Sequence, residues 1–211
     1  MDRNKPAKTS QLPSLQTLRG QIKQWRGELP PRGAVPGAQG QVMVLVDCSG
    51  SMGSGDKMQQ AKDGLQTFTL DAAKKGYEVG LIRFESTADV LCSPTADSKL
   101  IFRRIETLAP LGSTNMAAAI ELAANCLGMK PHNRVITLIT DGMPDNADAA
   151  LAAAINARHQ GIDIIAIGTD DADASFLKML ASREDLSVKV EAAQLQLACS
   201  NASLLLPGPS R

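Results

Sequence analysis

With 211 residues, 44% apolar and 21% charged, the chain has the make-up of one globular domain of ordinary size plus a short extension. Lys plus Arg and Asp plus Glu both number 22, so no net charge draws it to nucleic acid or to a membrane surface. Aromatics are only 3%, which requires a core built from aliphatic side chains.

The charge is unevenly spread. Residues 1–40 carry Arg3, Lys5, Lys8, Arg19, Lys23, Arg26 and Arg32 against Asp2 and Glu28, a net of +5 that leaves −5 for the rest. Residues 1–13 read as a disordered lead. Between Ser14 and Glu28, Leu15, Leu18, Ile22 and Trp25 recur at helical spacing. That amphipathic stripe either packs on its own domain or docks on a partner. Pro30, Pro31, Gly33, Pro36, Gly37 and Gly40 then form a linker, and the globular domain is expected over 41–206, with 207–211 as a tail.

From Gln41 strands and helices alternate. Val42–Val46 is a continuous apolar run, as in a parallel strand covered on both faces. A helix follows over 57–75, then a strand over Glu78–Phe84 and a short edge strand at Asp89–Cys92. Helices are expected over Lys99–Leu108 and Asn115–Leu127, a strand over Val135–Thr140, and an Ala-rich helix over Asp145–Gln160. A strand at Ile162–Ile167, a short helix at Ser175–Ala181, a strand at Ser187–Val190 and a closing helix within Glu191–Leu206 complete the pattern. The alternation predicts a doubly wound α/β fold with a mostly parallel central sheet.

Four dispersed cysteines, Cys48, Cys92, Cys126 and Cys199, suggest free buried thiols in a reducing compartment. Without an apolar signal core or a long apolar span, the cytoplasm is the expected location and no membrane association is expected.

In such sheets ligands bind where strands end. The first strand ends in Asp47-Cys48-Ser49-Gly50-Ser51, Gly112-Ser113-Thr114 precedes a helix, and the third apolar strand ends in Asp141-Gly142. Alone, the first segment could be a polar turn capping a helix. Together, Asp47, Ser49, Ser51, Thr114 and Asp141 form a hard-oxygen set suited to Mg²⁺, Mn²⁺ or Ca²⁺. Asp145 is expected to cap the following helix, and Asp170, Asp171 and Asp173 to form a solvated loop with one cap. The stretch Gly50–Lys57 fails as a phosphate loop, since Asp56 intervenes before Lys57 and Met58 stands where a hydroxyl is needed. His132 and His159 both fall at the opposite, amino edge of the sheet.

Asp47-x-Ser49-x-Ser51, Thr114 within Gly-Ser-Thr-Asn and Asp141 within Thr-Asp-Gly resemble the metal-ion-dependent adhesion site of von Willebrand factor type A domains, and the likeness spans about residues 41–200. It implies that Ser49, Ser51 and Thr114 bind a cation directly, with Asp47 and Asp141 acting mainly through water. It implies a non-enzymatic binding module whose cation captures a Glu or Asp of a protein partner. The resemblance is to small intracellular bacterial members, which often work beside ATPases, kinases or phosphatases. The competing reading is a metal-dependent hydrolase or phosphatase with Asp47 as nucleophile, although a DxDxT phosphatase would need an aspartate where Ser49 stands.

Overall fold

The computed structural model describes residues 39–129 and 133–208. The basic extension, its amphipathic stripe at 14–28, His132 and the last three residues of the tail lie outside the described residues.

Six strands form one sheet in the order β3-β2-β1-β4-β5-β6. They are β1 (Gly40–Asp47), β2 (Tyr77–Phe84), β3 (Ala88–Thr95), β4 (Asn133–Thr140), β5 (Asp163–Thr169) and β6 (Ser187–Val190). All pairings are parallel except β2 with β3. Strand β3 is the antiparallel edge: it is longer than expected, carries Pro94, and breaks register with β2 in two places.

Every residue from Val42 to Val46 is buried, which requires cover on both faces of the sheet. Among the described residues six helices supply it: α1 (Lys57–Lys74), α2 (Ser98–Glu106), α3 (Met116–Leu127), α4 (Ala147–His159), α5 (Ala174–Leu180) and α6 (Leu195–Asn201). Helix α1 packs against α2 and α6, while α4 packs against α3 and α5. The closing helix is shorter than expected, because 3-10 turns at Ala192–Gln194 and Ala202–Leu205 flank α6. There the Ser200 and Ser203 hydroxyls donate to the carbonyls of Gln196 and Ser200, a side-chain alternative to regular helix bonding.

The contact between α1 and α6 depends on Gly64. A side chain there would run into the Cys199 Cβ and the Gln196 carbonyl, both 2.6 Å from where a Cβ would stand. Free thiols fit the sequence expectation: all four cysteines are unpaired, and Cys48, Cys92 and Cys199 are buried.

Strand order reverses at β1, whose neighbours are β2 on one side and β4 on the other. The crevice of a doubly wound sheet therefore opens between the carboxyl ends of β1 and β4.

Candidate metal centre at the strand ends

Val46 lies opposite Ile139, so the next residues, Asp47 on β1 and Thr140–Asp141 on β4, emerge side by side. The Thr140 hydroxyl donates to Asp47 Oδ2 at 2.6 Å, and the Ser49 amide donates to Asp47 Oδ1 at 2.8 Å. Asp47 thus fixes the turn that follows it. The turn presents Ser49 and Ser51 with their hydroxyl oxygens 3.0 Å apart, and Ser51 Oγ donates to Asp141 Oδ1 at 2.7 Å.

The third segment is tied in through its backbone. The Leu111 amide donates to the Cys48 carbonyl at 2.5 Å, the Gly50 amide to the Gly112 carbonyl at 3.2 Å, and the Asn115 amide to the Glu85 carbonyl at 2.6 Å. Gly112 has φ of 74°, and a Cβ there would also collide with the Glu85 carboxylate and the Ser86 hydroxyl, so the loop requires glycine. Thr114 ends up buried at the same edge as Asp47, Ser49 and Asp141, with Ser51 exposed above them.

Asp145 does not cap α4; Asn146 does, accepting from the Ala149 amide. The Asp145 carboxylate instead reaches back to the Thr114 amide at 3.2 Å and the Ser113 hydroxyl at 2.7 Å, while its own amide donates to the Thr114 carbonyl. It is the clamp that holds the Thr114 loop against the β4 end. The residue one place further along has the right geometry for capping, and Asp145 is released to serve the site.

Two further residues join that sequence reasoning had set aside. Lys57, the first residue of α1, is buried, and its ammonium donates to Asp141 Oδ2 at 2.5 Å and lies 3.1 Å from Asp170 Oδ2. Asp170 follows β5 with φ of 47°, the one left-handed non-glycine among the described residues. Asp173 is the helix cap expected of that loop, accepting from the Phe176 amide.

Burial raises the Asp47 pKa above the usual carboxylate value, and the neighbouring Asp141 adds to it, against the hydrogen bonds from Thr140 and Ser49. For Lys57, burial would lower the ammonium's pKa, but its bonds to Asp141 and Asp170 reverse that and leave it raised. Cys48, beside Asp47, is pushed up to about 12 by burial and by that carboxylate, so it stays a protonated thiol at neutral pH and adds no soft ligand.

Among the described residues no group of three His, Cys, Asp or Glu side chains converges on a metal position. A cation here would rest on two carboxylates and three hydroxyls, a hard and weakly charged donor set that fits Mg²⁺, Mn²⁺ or Ca²⁺. The only described histidine, His159, is exposed at the end of α4, on the opposite edge. Beside Thr114 a recess of about 280 Å³ is lined by Thr114, Asn115, Met116, Asp145 and Asn146.

Residues 42–143 match the family model of the von Willebrand factor type A domain. The fold is a von Willebrand factor type A fold. The type A domain of the type V pili tip protein Mfa5 from Porphyromonas gingivalis superposes with a TM-score of 0.76 at 16% identity, covering 84% of this chain and 98% of that one. Proximal thread matrix protein 1 from the mussel byssus, in a structure titled as having a zinc-occupied MIDAS motif, gives 0.68 at 19% identity over 80% of this chain and 46% of that one. At such identities the likeness concerns the fold. A UPF0353 protein of Mycolicibacterium paratuberculosis is 29% identical over 191 residues, 80% of this chain and 56% of the relative. The chain spans about half the length of the curated relatives it matches. No described helix is long and apolar enough to cross a membrane.

Proposed function

We propose that this type A domain is a metal-dependent protein-binding module and not an enzyme. A Mg²⁺ or Mn²⁺ ion at the β1/β4 crevice is held by Ser49, Ser51 and Thr114, with Asp47 and Asp141 behind them acting through water. A Glu or Asp of a partner protein completes its coordination. The observation that carries this reading is the meeting of three chain segments, distant in sequence, that bring only small oxygen donors to the topological switch point. Neutral hydroxyls leave the cation most of its charge, which favours a carboxylate from outside.

The rim supports a protein ligand. Leu111 is 65% exposed and Met143 is 44% exposed, each on a loop that carries a site residue. They place exposed apolar surface beside the polar centre, which a partner docked there would bury. The hydrolase alternative asks Asp47 to act as nucleophile, yet its side chain is fully buried and both its oxygens already accept hydrogen bonds. We place the module in the cytoplasm, and an ATPase, kinase or phosphatase of the same system is the partner class to test first.

Calorimetric titration with Mn²⁺ tests the site. Binding is expected at tens of micromolar or weaker, given on the order of two charged ligands, and Thr114→Ala should abolish it with the fold intact by circular dichroism. Unchanged affinity in that variant would overturn the assignment. A phosphoesterase turnover lost in Asp47→Asn would overturn the binding-module reading.

A further inference from the structure

Three unfavourable local choices meet at one contact beside the crevice. A lysine is buried, its side chain only 9% exposed. The same lysine opens α1, where the helix dipole disfavours a cation, and the only acid at that helix end is the N-cap Asp56, whose side chain makes no capping bond. Asp170 adopts the left-handed conformation, which aspartate tolerates better than most side chains but which still costs more than it would for glycine. Costs of this kind persist where the surroundings or a function maintain them.

What maintains them is Asp141. Its two oxygens are divided: Oδ1 accepts from Ser51 and faces the hydroxyl set, while Oδ2 accepts from Lys57. The hydroxyl set and the lysine ammonium therefore engage different oxygens of Asp141. Asp170 holds the ammonium from the far side and, with a third of its side chain exposed, is screened by solvent in a way that buried Asp141 is not.

We propose that Lys57 is the resident counter-cation of this site, an affinity-setting residue that weakens the grip on a bare divalent ion and leaves the loaded site more positive toward an incoming carboxylate. The proposal rests on the metal-binding reading above. Asp47 and Asp141, acting through water, offset part of the dication's charge, and Lys57 offsets part of theirs. With Asp170 included in both counts, the loaded centre is one charge more positive with Lys57 than without it. Cation retention then depends on the partner's carboxylate, so metal and partner bind as a unit.

The test is titration of the full chain with Mn²⁺ alone at low ionic strength, following free Mn²⁺ by electron paramagnetic resonance. Lys57→Met and Lys57→Gln should bind Mn²⁺ about tenfold more tightly than wild type, the size of effect a unit charge a few ångströms away produces in a partly screened site. Lys57→Gln keeps an N–H donor for Asp141, so it decides the matter if Lys57→Met does not fold. Lys57→Arg keeps the charge and should match wild type, and Thr114→Ala should not bind. Equal or weaker binding in the neutral variants, with wild type binding and Thr114→Ala not, would overturn the role of Lys57 and leave the metal site standing. Tracking of Lys57→Arg with the neutral variants would do the same. Absence of Mn²⁺ binding in wild type and in both neutral variants would overturn both readings.

Discussion

The two ends of the sheet use polar side chains in opposite ways. At the amino end, donors tie down main-chain carbonyls. Arg158, near the end of α4, donates to the carbonyls of Met179 and Ala181 at 2.7 and 2.8 Å, at the end of α5. Arg134 reaches the carbonyls of Gly128 and Gln160, which follow α3 and α4. Tyr77 donates to Pro207 and Asn133 to Gly208, anchoring the chain's return. Cations at helix carboxyl ends satisfy orphan carbonyls and the dipole together. At the carboxyl end Asn146 and Asp173 cap α4 and α5, but Asp47, Asp141 and Asp145 accept from hydroxyls, amides and one ammonium of the site itself. One end is arranged for stability; on the function proposed above, the other is arranged for binding.

The comparison breaks most readily at Arg158. Arg158→Ala would strip partners from carbonyls at the end of α5, a loss of about 3 kcal/mol if two of them stay unsatisfied. A domain of this size should then melt roughly 6–12 °C lower. Mn²⁺ affinity, measured by calorimetry below the new midpoint, should not change. A parallel loss of metal binding would show that the two ends are coupled through the sheet.

Alkaline pH sharpens the comparison next. Burial holds the thiols of Cys48, at the site, and Cys199, on α6, from 9.0 up to about 12. In the unfolded chain they ionise near 9.0, so the unfolded state releases protons that the folded state keeps. Stability should therefore fall as pH rises above about 9, by about 1.4 kcal/mol per unit for each thiol until its folded pKa is reached. Denaturant midpoints taken at about pH 8 and pH 10.5 should show a flatter slope in Cys48→Ala and in Cys199→Ala than in wild type. For Cys48 the Asp47 carboxylate adds to the effect, so Asp47→Asn should flatten the slope slightly too, and an unaltered slope in the cysteine variants would mean these thiols are not shielded.

A smaller effect is expected at Gly112. Gly112→Ala imposes a side chain at φ of 74° and against Glu85 and Ser86, a strain on the order of 1–2 kcal/mol. Because Ser113 and Thr114 follow directly, the strain should be relieved by shifting that loop. Mn²⁺ affinity should then drop at least tenfold for a modest change in melting temperature, the reverse of the pattern at Arg158. A large thermal loss with metal binding retained would place Gly112 among the stability residues.

These contrasts also explain what could be read without coordinates. Strand and helix order is legible because Val42–Val46 is apolar throughout, Val135–Thr140 is apolar but for Thr137 and Thr140, and the helices between them keep a 3.6-residue stripe. Asp47, Ser49, Ser51, Thr114 and Asp141 were legible as candidates because strand ends in such sheets share one edge. The sequence marks Lys57 only as a failed phosphate-loop lysine, since its partner Asp141 is 84 positions away and nothing local marks the pairing. Asp170 needed its left-handed backbone to be seen, and Asp145 was misplaced because Asn146, beside it, is an equally good cap by composition. Hydrophobic periodicity specifies elements, whereas contacts between loops depend on the assembled sheet.

The smallest effect expected on the bare protein is at Asp47, and its sign separates the two ends most cleanly. Its folded pKa is raised by burial, so ionised Asp47 disfavours the native state, and that cost is present above the folded pKa. As pH falls through the folded pKa toward 3.8, both states become protonated and the cost disappears. Asp47→Asn removes the charge, and its amide can still accept from the Ser49 amide and donate to Thr140 Oγ. In metal-free buffer near neutral pH the variant should be as stable as wild type or more so, by up to about 1 kcal/mol, with the gain shrinking toward pH 4. Saturating Mn²⁺ should reverse the order, because a ligand at a hundred times its Kd stabilises wild type by about 2.7 kcal/mol and the variant not at all. Melting curves with EDTA and with Mn²⁺ check both halves. If Asp47→Asn is less stable than wild type in EDTA at neutral pH, the carboxylate is a structural group like those at the amino end; if the curves cross on adding Mn²⁺, it is retained at a cost to the bare domain for the sake of the cation.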